Sequence, residues 1–216
     1  MNMIKYEKMI LISITEQKLL LIQDNYKIAE YPISTSKFGI GNKSGSNMTP
    51  LGYHLIKEKI GEHIHKNTVY KAGKFTKEIT TINNKIAFDE DLITTRIMKL
   101  EGMENGINRG GGIDSYEREI WIHGTSSESK IGTPASNGCI RMKNDDIISL
   151  FNSVEVGTPV NIEMKIIAKV QEKKNMFDYK GHTFRLKDRR KKGILDSTLW
   201  KVNNTERRKD GERRKK

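Results

Sequence analysis

The stretch that decides the reading of this chain is Trp121-Ile122-His123-Gly124-Thr125, followed after a spacer by Ser136-Asn137-Gly138-Cys139-Ile140-Arg141-Met142. Ile120-Trp121-Ile122 reads as a short strand with His123 at its end. Cys139, sixteen residues after His123, is the only cysteine among 216 residues. A solitary thiol forms no internal disulfide, so it is either a small buried hydrophobe or a reactive group. Its neighbours favour reactivity: Gly138 lets the backbone approach a ligand, and Arg141 brings permanent positive charge that favours thiolate. An unperturbed thiol is only about 3% ionised at pH 7, so attack on an amide wants a base within reach. Neutral imidazole can take the thiol proton and later return it to a leaving amine. Cys139 is expected as nucleophile and His123 as general base and acid.

The rest of the second segment supplies the accessory chemistry. Backbone N–H groups around Asn137, Gly138 and Cys139 are expected to face a tetrahedral oxyanion, because Gly138 permits a tight turn that aims successive amides at one point. Ser136 either hydrogen-bonds His123 or holds the loop. Arg141 either binds a substrate carboxylate bidentately or pairs with an acidic neighbour in the following helix.

These residues resemble the signature of the L,D-transpeptidase (YkuD-type) family of bacterial cell-wall enzymes. That signature has His-Gly-Thr at a strand end, a spacer, then Ser-His-Gly-Cys-Ile-Arg-(Met/Leu). The likeness extends upstream to Tyr31-Pro32-Ile33-Ser34-Thr35-Ser36 and Thr49-Pro50-Leu51-Gly52-Tyr53. Downstream it reaches Asn144-Asp145-Asp146-Ile147 with Leu150-Phe151, and Val156-Gly157-Thr158-Pro159-Val160-Asn161-Ile162. It implies a YkuD-type β-sandwich with a short helix after the catalytic cysteine, and a site of Cys139 and His123 supported by Ser136, Asn137 and Gly138. It implies substrate-binding roles for Arg141 and Gly124. The implied activity is a thioester acyl-enzyme on a peptidoglycan stem peptide, transferred to an amine acceptor. Water as acceptor would make the same site an L,D-carboxypeptidase on muropeptides. No metal or organic cofactor is required by that mechanism. The chain departs from the signature at Asn137, where the family commonly has histidine; asparagine exchanges hydrogen bonds but shuttles no proton near neutral pH. With His123 retained, Asn137 reads as a tuning change, and an impaired wall-binding module is the alternative. A papain-type peptidase is disfavoured, since there the cysteine precedes the histidine.

Composition bounds the remainder. The chain carries 35% apolar and 31% charged residues and a net charge of +12, of which residues 187–216 hold +8, from 13 Lys/Arg against 5 Asp/Glu. The expected division is a catalytic domain over 1–166 and a basic C-terminal extension over 167–216, disordered toward its charged end. Such a tail suits an anionic surface or nucleic acid. No run approaches the roughly 18 consecutive apolar residues of a membrane span. Met9-Ile10-Leu11-Ile12 is broken too early for a signal peptide and reads as a first strand. The resemblance implies the cell envelope or periplasm, and the chain start as it stands implies the cytoplasm.

Periodicity gives a mainly β domain. Strands are expected over Met9–Ile14, Lys18–Ile22 and Tyr26–Ile33 as a meander, then over Leu92–Leu100, Ile120–Ile122 and Val160–Ile166. Residues 60–91 read as a polar surface excursion, and Gly102–Gly112 as a flexible connection. A short helix with Asn144 as N-cap follows the cysteine. Phe38–Ser46 lacks the Gly-Lys-Ser/Thr of a phosphate loop. His54, His63 and His65 lack a metal-ligand pattern and read as surface histidines, and Arg109 and Arg118 as solvated residues that a peptide carboxylate could engage.

Overall fold

Short apolar runs interrupted by tight turns build the first part of the computed structural model, which describes residues 8–82, 92–166 and 171–172. Strands β1 (Lys8–Ser13), β2 (Lys18–Gln23) and β3 (Tyr26–Ser34) form the antiparallel meander, each within one residue of its expected bounds. The β2–β3 turn is Asp24-Asn25 with φ of 49° and 70°, a left-handed pair that these two side chains tolerate and that matches strand twist.

The chain continues through β4 (Gly52–Ile60), β5 (Thr68–Lys71), β6 (Lys74–Ile79), β7 (Ile93–Gly102), β8 (Trp121–Thr125) and β9 (Ile140–Met142). Helix α1 (Asn144–Ser153), β10 (Pro159–Glu163) and β11 (Gln171–Glu172) complete the described elements. The expected polar excursion over 60–91 needs correction. It contains the β5–β6 hairpin, and Val69 and Tyr70 are buried. The turn, Ala72-Gly73 at φ 51° and 69°, escapes sequence reading because alanine is no turn signal. Residues 83–91 lie outside the described residues.

Hydrogen bonding runs β4-β10-β1-β2-β3-β9-β8-β7 and closes on itself through β7–β4, while β5 and β6 extend from β7 and β11 adds to β3. The flattened ring is the expected β-sandwich. It encloses a core of Ile10, Ile12, Leu19, Leu21, Ile33, Ile56, Met98, Leu100, Ile122, Ile140, Met142, Val160 and Ile162. Helix α1 adds Ile147, Leu150 and Phe151, one apolar face at helical spacing. Each such side chain contributes about 1.5–3 kcal/mol when fully buried.

The N-cap of α1 is Lys143, without a side-chain cap bond; Asn144, expected as the cap, is the first helical residue. Its side chain is recruited elsewhere, and its backbone N–H donates to the Glu128 carboxylate at 2.7 Å. An acidic group at a helix start also suits the helix dipole. The expected domain boundary at 166/167 falls between β10 and β11, and the compact unit extends to Glu172. The basic extension beyond it, with its expected disorder and anionic partners, lies outside the described residues.

Candidate active site

Strands β8 and β9 run parallel with Ile122 opposite Ile140, His123 opposite Arg141 and Gly124 opposite Met142. Side chains alternate across a sheet, so one face carries Ile122, Ile140 and Met142 into the core. The other face carries Trp121, His123 and Arg141 outward, with Cys139 on the same side just ahead of β9. An outer apolar cluster forms there from Tyr70, Ile97 and Trp121, with Ile60, Ile93 and Cys139 packed against it. The β5–β6 hairpin roofs this cluster; a Cβ at its turn residue Gly73 would come within 3.0 Å of Trp121.

His123 is 2% exposed, and its Nδ1 lies 2.7 Å from the Gly124 carbonyl oxygen. A carbonyl only accepts, so Nδ1 donates and the neutral ring keeps Nε2 as its basic nitrogen. Cys139 is partly exposed, and its Sγ donates to the Glu119 carbonyl at 3.2 Å.

The loop ahead of the cysteine is tied down from several sides. Ser136 is fully buried; its Oγ donates to Cys139 O at 2.6 Å and accepts the Gly138 N–H at 3.2 Å. Gly138 has φ +122°, a region glycine enters without penalty, and a Cβ there would press on Ile120 at 3.3 Å. Thr49 Oγ1 donates to Gly138 O at 2.8 Å and accepts the Ser36 N–H at 3.0 Å. Thr35 O accepts the N–H groups of Ala135 and Ser136, both at 2.9 Å. The two early motifs thus fold directly onto the cysteine loop. Asn137 is exposed at its tip. Arg141, 6% exposed, donates from Nη1 to Ala135 O at 3.0 Å.

A buried polar knot holds the end of β8. Asn144 Oδ1 accepts from Thr94 at 2.7 Å and from Thr95, which a bulge in β7 with φ 70° at Thr95 turns to the same point. Asn144 Nδ2 donates to Thr125 O at 2.8 Å and to Glu128 at 2.7 Å. Gly124 sits beneath this knot: a Cβ would lie 2.6 Å from Thr94 O and 2.7 Å from Asn144 Oδ1. Only glycine fits there.

Sequence reasoning took Arg118 as a solvated residue and missed that its segment contacts the cysteine. Arg118 is half-buried and donates to Met48 O at 2.7 Å, Gly41 O at 3.2 Å and Ser46 Oγ at 3.4 Å. Burial lowers its pKa, and its attraction to Cys139 opposes that shift. The next residue, Glu119, with φ 55°, supplies the carbonyl bonded to the thiol. This segment is anchored by His54, which is 1% exposed rather than a surface histidine. Its ring bonds Gly52 O and Ser115 Oγ, both at 2.9 Å. Burial drives the His54 pKa down to about 4, against the favourable hydrogen bond to Gly52. His63 and His65 are exposed, and among the described residues no grouping of His, Cys, Asp or Glu is suited to a metal ion.

The sequence profile of YkuD, the L,D-transpeptidase catalytic domain, matches residues 7–162, which spans every element around this site. The chain belongs to the YkuD family. Among its YkuD-family relatives, the probable L,D-transpeptidase YcfS of Escherichia coli (strain K12) is 27% identical over 154 residues, 71% of this chain and 43% of that protein. The probable L,D-transpeptidase ErfK/SrfK of the same organism is 56% identical over 41 residues, 19% of this chain and 13% of that protein. The chain spans less than half the length of the curated relatives it matches. An L,D-transpeptidase structure from Mycobacterium smegmatis aligns at 16% identity and a TM-score of 0.43, covering 73% of this chain and 58% of that one. Among the described residues of this YkuD domain, no helix is long and apolar enough to cross a membrane.

Proposed function

We propose that the protein is a cysteine-dependent L,D-transpeptidase acting on peptidoglycan stem peptides. The observation that carries this reading is one outward sheet face. It holds a histidine whose Nε2 is the basic nitrogen and a partly exposed cysteine on a loop that the family's own motifs hold in place. In this reading His123 takes the Cys139 proton, and the sulfur attacks the carbonyl carbon between the L-centre of a diamino acid and the following D-residue. Backbone N–H groups of the 137–139 turn meet the oxyanion; Gly138 shares its own with Ser136 at 3.2 Å, so the demand falls first on its neighbours. The C–N bond breaks as His123 returns the proton to the departing D-amino acid, leaving a thioester. An acceptor amine then attacks, loses its proton to His123, forms the cross-link and restores the thiol. Ser136 and Arg141, both turned into the loop, serve its geometry, and Gly124 lets β8 pass beneath α1.

Incubating the protein with a tetrapeptide muropeptide and weighing the products tests this. A cross-linked dimer with release of one D-amino acid is the expected result. Release without a dimer means that water is the acceptor and the protein is an L,D-carboxypeptidase. Neither product, with intact muropeptide still bound, assigns a wall-binding module and overturns the proposal.

A further inference from the structure

Arg118 is a half-buried cation whose hydrogen-bond partners are all neutral: two backbone carbonyls and one hydroxyl. A guanidinium taken out of water calls for an opposite charge nearby. Two links through the backbone tie Arg118 to the cysteine loop. Arg118 grips Met48 O, and Met48 O lies 3.5 Å from where a Cβ of Gly138 would stand, one residue before the cysteine. On the other side, Glu119, adjacent to Arg118, holds the thiol through its carbonyl.

We propose that Arg118 is the positioning residue that balances the charge of the Cys139 thiolate and, through Gly41, Ser46 and Met48, pins the 41–48 loop to the segment that orients the sulfur. The electrostatic attraction between the Arg118 guanidinium and Cys139 agrees with this. Arg141, two residues after the cysteine, is a second cation on this face, and its Nη1 donates to the Ala135 carbonyl. The other ionisable groups on this face are His123 and Arg141 of β8 and β9, Tyr70 of the cluster that Cys139 packs against, Lys99 beside Trp121, and Glu119 of the loop. Lys99 lies 5.9 Å from the Trp121 ring centroid, and the Glu119 carboxylate would oppose thiolate formation. The inference rests on Cys139 being the reactive group of the proposed enzyme, yet its test needs no turnover.

Because Cys139 is the only cysteine, alkylation by iodoacetamide reports on it alone. The rate should follow thiolate with a midpoint clearly below the about 8.5 of an unperturbed cysteine. Arg118→Gln should raise the midpoint by about one unit, the low end for losing a close opposite charge. Arg118→Lys keeps the charge without the fork, and should hold the midpoint near that of the unsubstituted protein. An unmoved midpoint in Arg118→Gln overturns the proposal. So does a midpoint near 8.5 in the unsubstituted protein, a measurement that stands even if the variant fails to fold. A missing cross-linking activity beside a lowered, Arg118-dependent midpoint would sink the proposed function and leave this inference intact.

Discussion

On the inner face of β8 and β9, Ile122, Ile140 and Met142 are fully buried among apolar neighbours from every strand of the ring. On the outer face, one residue away along each strand, stand Trp121, His123 and Arg141, with Cys139 at the β9 entrance. The same alternation of the backbone serves both. Substitution on the inner side is expected to change how often the molecule is folded; under the proposed function, substitution on the outer side changes what the folded molecule does. The outer side is nevertheless no ordinary solvated face. His123 and Arg141 are nearly inaccessible, and His123 Nδ1 and Arg141 Nη1 each meet a backbone carbonyl. Under the proposed function, such preorganisation is what would let His123 act on Cys139.

The contrast is most sharply tested at the sulfur. Cys139→Ser is expected to abolish the mass adduct formed with a carbapenem-type acylating agent while leaving the melting temperature almost unchanged. An adduct that persists breaks the assignment of the outer face. His123→Ala should slow acylation by roughly 10² or more, read as adduct formation against time at pH 7; an unchanged rate would remove the histidine from the chemistry.

Next in size is an effect transmitted from His54. Its folded pKa of about 4 lies below the roughly 6.5 of the unfolded chain, so the unfolded state binds the extra proton between those values. Stability is therefore complete above about pH 6.5 and is lost as pH falls toward 4, with about 2 kcal/mol gone between 6.5 and 5. Urea melts at several pH values should show this slope, and His54→Gln should flatten it. Ile122→Val, on the inner face, should cost about 1 kcal/mol of stability with unaltered activity per folded molecule. A loss of activity beyond the folded fraction would blur the division between faces. Smallest is Asn137→His at the exposed loop tip. Rate and pH optimum should shift by less than the roughly 10²-fold that an obligatory acid or base contributes. An inactive protein rescued by this change would mark the chain as a degenerate member.

What was legible in the sequence follows from where its signals are local. The β1–β3 meander lies in alternation and turn chemistry, both properties of neighbouring residues. The β5–β6 hairpin does not, because its turn is alanine-glycine and its burial comes from Trp121, about 50 residues away. The motif marks the histidine and cysteine as the candidate pair from local sequence. Arg118 could not, since nothing in Tyr116-Glu117-Arg118-Glu119 distinguishes a clamp from a solvated arginine until the 41–48 loop is folded over it. Asn144 looked like a cap from its place before an apolar run, and lost that role to hydroxyl and carbonyl partners contributed by β7 and β8. His54 carries no sequence sign of burial, as its partners Gly52 and Ser115 bring together an adjacent turn and a distant loop.

The parallel pairing of β8 with β9 has a consequence for how such a domain can vary. The crossover between them leaves from one end of the sheet and returns to the other, while the ladder Ile122–Ile140 sets the register of the histidine strand against the strand that the cysteine leads into. Gly132, Thr133 and Pro134 on that crossover are exposed. The ladder, Thr35 and Ser136 hold the downstream end regardless of how much chain precedes it. Residues added at 133–134, beyond the Gly132 N–H bond to Ile33 O, are expected to cost little more than the entropy of a longer loop. The spacing between His123 and Cys139 along the chain is thus free to drift, and the register of β8 against β9 is not.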